Sequence, residues 1–220
     1  MNKYNYKRFQ PKLYYSSDGF YGPKPGEQAP DFTAYTLEGK EVRLSDFFGK
    51  PIVLEMGSVT CPVFVGVMSR MKKLIKEFPQ VQFLVLYVRE AHPGEKRGAH
   101  RSNKEKRQRA QEYKAMYKDP RTVLVDDVSG LAHTTYGLFP NSVYIIKDGI
   151  IFWRAKWNHP TELQKNLRLL SEGKPAAKEL PSEVPGALSP RVFLNGGFVA
   201  LWDFVKGFPK LIYLKSFKRR

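Results

Sequence analysis

Ile52-Val53-Leu54-Glu55-Met56-Gly57-Ser58-Val59-Thr60-Cys61-Pro62-Val63-Phe64 is the stretch that decides the fold. The apolar run from Ile52 to Met56 predicts a buried strand. Gly57 to Thr60 predicts a short turn. Pro62 suits the first helical position, where its missing N–H costs nothing, so a helix starts at Cys61. A helix start carries partial positive charge and unsatisfied N–H donors, and both favour a thiolate. Cys61 is the only cysteine among 220 residues, which excludes an internal disulfide and a two-cysteine redox cycle within one chain.

Outward from this stretch, Phe64, Val67, Met68, Met71, Leu74, Ile75 and Phe78 recur at helical spacing and predict an amphipathic helix over 62–78. Val81 to Val88 is nearly continuous in apolar residues, as in a central strand covered on both faces. A Gly/Pro/His loop spans 89–101, and a strongly basic helix spans 102–118. Thr122 to Val125 is a short strand, and Gly130 to Tyr136 a short helix. Ser142 to Ile146 and Ile150 to Trp153 are strands joined at Lys147-Asp148-Gly149, a hairpin signal. A last helix covers 161–172. Upstream, two short strands between Asp31 and Leu44 flank a turn centred on Glu38-Gly39-Lys40.

Strands alternating with helices predict a parallel sheet, and the closing hairpin adds antiparallel strands. The order is that of an α/β, thioredoxin-like fold: a central mixed β-sheet flanked by helices, with an N-terminal β-hairpin and a C-terminal basic-aromatic extension. In that fold a cis proline faces the cysteine loop, and Pro140, after Phe139, is the candidate. The expected organisation is an arm lying on the surface (1–25), the thioredoxin-like domain (26–173), a linker with four prolines (174–190) and a basic aromatic tail (191–220).

The 37 basic and 21 acidic side chains give a formal charge of +16, which suggests an anionic partner or a soluble basic surface. The N-terminus lacks the apolar run of a signal peptide, and no stretch reaches the ~18 apolar residues of a spanning helix. The expectation is a cytoplasmic protein. The tail mixes aromatic, aliphatic and basic side chains, as interfacial membrane helices do, which makes an acidic membrane surface one candidate partner. Docking on its own domain or on a second subunit, as in a homodimer, is the favoured expectation, because Pro209 and Gly196, Gly197 and Gly207 weaken one long helix. Basic residues crowd 96–109, yet no recognition motif accompanies them, so nucleic acid is a poor partner. Four scattered histidines and one cysteine make no zinc site.

Gly57-Ser58-Val59-Thr60-Cys61-Pro62-Val63-Phe64 resembles the active-site loop of iodothyronine deiodinases, with Cys61 at the selenocysteine position and Val59 where the family has a second cysteine. Tyr87-Val88-Arg89-Glu90-Ala91-His92-Pro93, then His100-Arg101-Ser102, then Tyr136-Gly137 and Tyr144-Ile145-Ile146 are similar to the family's later segments. The likeness runs over roughly residues 28–170. Residues 1–25 carry no apolar run to match the family's N-terminal membrane span.

The resemblance implies a thiol-dependent oxidoreductase. Cys61 would attack the halogen of an iodinated phenol, and an external thiol or thioredoxin-like protein would regenerate it, with no bound cofactor. His92 is the candidate proton relay, Glu90 would orient it, and Tyr87 would complete the chain. Ser58 and Thr60 would offer hydroxyls to the sulfur or the leaving group. Of the family's substrate-binding histidine and arginine, the first falls at His100 and the second at Trp157, beside Lys156. A one-cysteine peroxidase stays open, although the peroxiredoxin loop has threonine three residues before its cysteine, where Ser58 stands here. A membrane-surface module in which Cys61 is an inert buried side chain also stays open. Glu55, inside an apolar strand, must be paired, protonated or at the sheet's end; a base near the thiol is one reading, and pairing with a basic side chain is the expected one.

Overall fold

The computed structural model describes residues 4–9, 20–179, 184, 186 and 188–217, with side chains through 207. The elements are β1 (Thr33–Tyr35), β2 (Glu41–Arg43), β3 (Ile52–Gly57), α1 (Pro62–Glu77), β4 (Gln82–Tyr87), α2 (Asn103–Tyr117), β5 (Thr122–Val125), α3 (Leu131–Thr135), β6 (Val143–Lys147), β7 (Ile150–Ala155), α4 (Pro160–Ser171), α5 (Arg191–Gly196) and α6 (Phe198–Phe217). The strands form one mixed sheet in the order β2-β1-β5-β4-β3-β6-β7. Its centre, β5-β4-β3, is parallel, and β6, β7 and the N-terminal hairpin are antiparallel. This is the expected thioredoxin-like fold.

Period two along the central strands sorts the core. Ile52, Leu54, Met56, Leu84, Leu86 and Leu124 pack with Leu44, Tyr136 and Tyr144 on one face. Val53 and Phe83 face α1 and α4 through Val67, Met71, Leu163 and Leu167. Val85, Tyr87, Val123 and Val125 turn to the same side, against Phe64, Met68 and Tyr113. In the β3–β4 register Gly57 pairs with Tyr87, so both strands end at one level. The chain segments that follow them, the cysteine loop and residues 88–92, therefore start side by side. Gly57 also has a local reason to be glycine, because a Cβ there would overlap the Phe64 ring. The β6–β7 turn has positive φ at Asp148 (52°) and Gly149 (75°), as a type I′ hairpin requires.

Glu55 lies on the helix-facing side of β3, with no exposure. Its partner is Arg121, whose guanidinium donates to Oε2, while Asn141 and Asn158 each donate to Oε1 at 2.7 Å. Arg121 also bonds Asp119 at 2.7 Å, so the pair is part of a buried network. Burial pushes the Glu55 carboxyl up, against the pull of Arg121 and the two amides.

Three expectations change. The Phe139–Pro140 bond is trans, as are all peptide bonds of the described residues. Residues 4–9 are not a surface arm throughout: Tyr4, Tyr6 and Phe9 are buried, while Lys7 and Arg8 are exposed. The Tyr4 hydroxyl meets His133 Nδ1 at 2.8 Å, and its ring takes Arg89 at 4.9 Å and Lys106 at 5.5 Å. Third, α6 runs unbroken through Pro209.

Replacing Arg121 by methionine strands Glu55 without its cation. The expected loss is about 3–5 kcal/mol in urea unfolding, and the double change Glu55→Leu with Arg121→Met is expected to recover most of it. A single variant as stable as the wild type would contradict the pairing.

Candidate active site

Cys61 is the N-cap of α1, with Pro62 in its first turn and extended backbone (φ −89°, ψ 112°). Its carbonyl accepts from Val65 N at 3.1 Å, and its own N–H donates to Ser58 O at 3.0 Å. The thiol is thereby set against the first amides of the helix.

The loop before it is tied down by one carboxylate. Glu90 Oε2 accepts from Thr60 Oγ1 at 2.5 Å and from Thr60 N at 3.2 Å. Its Oε1 accepts from the Tyr87 hydroxyl at 2.6 Å and lies 3.2 Å from His100 Nε2. Tyr87 in turn accepts from Val59 N at 3.2 Å. Two further bonds close the seam between the segments: Ala91 N donates to Ser58 Oγ and His92 N to Thr60 Oγ1, each at 3.2 Å. Burial alone would raise the Glu90 carboxyl. The hydrogen bond and charge of His100, with Thr60 and Tyr87, outweigh it and hold Glu90 below the usual carboxylate range.

The structure thus brings Cys61, Ser58, Thr60, Tyr87, Glu90 and His100 together, but with altered parts. His92 does not bond Glu90. Its ring stacks on Phe9 at 4.0 Å between centroids and meets Phe193 and Phe204 edge-on, both at 5.7 Å. Its Nδ1 is buried with no hydrogen-bond partner, and burial pulls its pKa down to about 3 despite the charge of Asp203. His100, expected on substrate, fills the place by Glu90 instead. Ser58 and Thr60 hold the loop rather than the sulfur. Trp157 is buried edge-on to Phe139 at 5.9 Å, and Lys156 Nζ stands 4.2 Å over the other partner's ring, that of Phe139. Among the described residues no hydrogen bond or ring contact joins Trp157 to His100.

The tail docks on its own domain and, with the N-terminal arm, covers the thiol. Cys61 is 1% exposed. It is buried in one cluster with Tyr6 and Phe9 of the N-terminal arm and with Val192 and Phe193 of α5, with Phe204 of α6 packed against it. Ser189 N donates to Pro62 O at 3.0 Å, and Lys96 N to Gly196 O at 3.2 Å. Arg8 joins the two halves of the cover by donating to Asp203 at 2.6 Å. The aromatic residues were legible; that those of the arm and of α5 and α6 converge on one thiol was not. Burial drives the Cys61 thiol from an ordinary value of 9.0 up to about 12, the amides of Phe64 and Val63 pull it down, and the charges of Glu55 and Glu90 add to the rise. The covered protein therefore holds a protonated, unreactive thiol at neutral pH.

A model of the family described as iodothyronine deiodinase matches residues 12–172. The chain belongs to the iodothyronine deiodinase family. Its match to the type I iodothyronine deiodinase of Xenopus laevis is 28% identical over 152 residues, 62% of this chain and 60% of that relative. It thus spans about 60% of the length of that relative. A type II enzyme from Bos taurus is 40% identical over 63 residues, 27% of this chain and 23% of the relative. Among solved structures, an uncharacterized conserved protein from Geobacillus kaustophilus superposes with a TM-score of 0.60 at 18% identity, covering 73% of this chain and 87% of that one. A putative thiol:disulfide interchange protein DsbE from Chlorobium tepidum gives 0.53 at 17% identity, covering 69% and 98%. These last two share the fold. Among the described residues no group of histidine, cysteine and carboxylates could hold a metal ion, and no helix is long and apolar enough to cross a membrane.

Alkylation of Cys61 tests the cover. A raised thiol pKa means the covered state loses stability relative to an opened one as pH climbs through the ordinary thiol range toward about 12. Alkylation of the wild type is expected to be slow at neutral pH and to accelerate only in alkali. Phe193→Ala with Phe204→Ala is expected to shift the apparent pKa down toward 9, raising the rate at pH 7 by up to about a thousandfold. An unchanged profile would show that the cover does not bury the thiol.

Proposed function

We propose that the protein is a thiol-dependent oxidoreductase that removes halogen, iodine foremost, from a halogenated phenol. The observation that carries this is Cys61 at the start of α1, in a family of deiodinases, with its loop fixed by the buried Glu90 network. The chain's own side chains then divide the work. The Cys61 thiolate attacks iodine, the carbon–iodine bond breaks with its electron pair going to the ring carbon, and a sulfur–iodine bond forms. The carbon takes a proton, for which the path His100–Glu90–Thr60 ends one residue from the thiol. His92, neutral and sandwiched among aromatic rings, serves as a wall of the site rather than as the relay. Lys156 stands beside Trp157, near where the family's arginine is counted, and offers a cation to an anionic group of the substrate.

An external thiol closes the cycle. One thiolate displaces iodide from Cys61 and forms a mixed disulfide, and a second releases Cys61 and leaves with the first as a disulfide. The sum is one carbon–halogen bond reduced, two thiols oxidised and one halide released. Neither a metal nor a bound cofactor enters this balance. A cysteine is a weaker attacking group on iodine than selenocysteine, so a cover that keeps the thiol protonated until substrate arrives also limits wasteful oxidation.

The test is iodide release from an iodinated phenol with a small thiol as reductant, run beside hydrogen peroxide consumption. Cys61→Ser is expected to abolish iodide release. Glu90→Gln, which keeps the shape but removes the charge, is expected to lower kcat by about 10²–10⁴-fold. Peroxide consumption with no iodide release would replace this reading by that of a one-cysteine peroxidase. Activity retained in Cys61→Ser would remove the thiol from the chemistry altogether.

A further inference from the structure

The helices that cover the site have two faces, and only the inner one is used. On that side Val192, Phe193, Gly196, Ala200 and Gly207 are buried. On the other, Leu194, Phe198, Leu201, Trp202 and Val205 are between 42% and 75% exposed. In α6 these positions fall three and four residues apart and form a single stripe. The stripe is ordered within itself, with the Phe198 and Trp202 rings stacked at 6.1 Å and Lys206 Nζ 4.9 Å over the Trp202 ring.

Charge says what fits this face. Residues 191–220 contain Arg191, Lys206, Lys210, Lys215, Lys218, Arg219 and Arg220 against one acid, Asp203. That acid is turned inward and paired with Arg8, its side chain 11% exposed. Glu95, at the start of α6, is held by the amides of Phe198 at 2.5 Å and Val199 at 2.9 Å. Lys206 thus stands at the stripe, the sequence around it is basic, and both nearby carboxylates are engaged. A helix with an apolar stripe and a basic sequence, too short of apolar residues to span, suits the interface of a bilayer. Basic side chains there are drawn to anionic headgroups, and tryptophan favours the headgroup level.

We propose that the outer face of α5 and α6 binds an anionic lipid bilayer surface. Leu194, Phe198, Leu201, Trp202 and Val205 enter the interface and the basic residues meet acidic headgroups. This surface is independent of the dehalogenation reading, since none of its side chains belongs to the thiol site. It lies back to back with the cover, so lipid grips the same helices that bury Cys61.

The experiment uses the full chain with vesicles of phosphatidylcholine alone and of phosphatidylcholine with phosphatidylserine. Sedimentation with the vesicles is expected to show binding at least roughly tenfold tighter to the serine lipid, weakening as salt is raised. Trp202 emission, read as the difference between wild type and Trp202→Phe, is expected to shift to the blue on binding. Leu201→Glu with Val205→Glu, at exposed positions, is expected to keep the circular dichroism and thiol-dependent activity of the wild type and to lose vesicle binding. The tryptophan shift needs only the wild type and Trp202→Phe, so it stands even if the double variant fails to fold. No partition to either vesicle, or equal binding by a folded double variant, would overturn the proposal. Self-association abolished by the double variant, with no vesicle binding, would overturn it in favour of a second copy of the chain.

Discussion

Glu90 is the constraint on which the site depends. A carboxylate with no exposure is stable only if every lone pair it presents is met, and here Thr60, Tyr87 and His100 meet them. Those partners come from the cysteine loop, the end of β4 and the basic segment beyond it. One side chain thus converts three adjacent loops into a rigid seam, and Cys61 inherits its position from that seam. The register of β3 on β4, with Gly57 beside Tyr87, makes the seam short enough to be closed by single hydrogen bonds. A second buried carboxylate, Glu55, does comparable work lower in the sheet, where Arg121, Asn141 and Asn158 join β3 to the starts of β5 and β6 and to the chain after β7.

Two opposing influences act on the thiol. The helix start and the amides of Val63 and Phe64 favour the thiolate, whereas burial and the charges of Glu55 and Glu90 favour the protonated form. Burial wins because the cover excludes water. The cover is built from pieces with unequal hold. Its aromatic inner side is packed around His92, while Arg8–Asp203 is an ion pair with one partner well exposed, which salt weakens. The exposed stripe on the outside of the same helices lies back to back with this packing.

Much of the fold was legible in the sequence. The turn at Lys147-Asp148-Gly149 predicted the β6–β7 hairpin because only a few residue types tolerate two successive positive φ angles. The apolar run through β4 predicted a strand covered on both faces, and Pro62 marked where α1 starts. A basic partner for Glu55 was the favoured reading against a protonated carboxyl or a base near the thiol, but its identity was not legible: Arg121 lies 66 residues away, and the β4–β5 pairing brings it near. In the site, the structure pairs Glu90 with His100, where the sequence suggested His92. Glu90 and His92 are close in sequence, which suggested a couple, yet the backbone turns between them and presents Glu90 to His100. The arm was read as a surface segment because it has no periodicity, and periodicity reports regular structure rather than burial. Tyr4, Tyr6 and Phe9 bury individually, in sockets made by distant elements.

The sequence by itself determined the strand-turn-helix, the single thiol at its end, the family and the chemistry these allow, because local pattern and residue type carry that information. Tertiary structure alone decided that Glu90 partners His100, that His92 is buried among Phe9, Phe193 and Phe204, and that residues of the arm and of α5 and α6 pack over Cys61. Those outcomes depend on which side chains reach one another across the fold, and on how much water is left between them, neither of which is written in any short stretch of the chain.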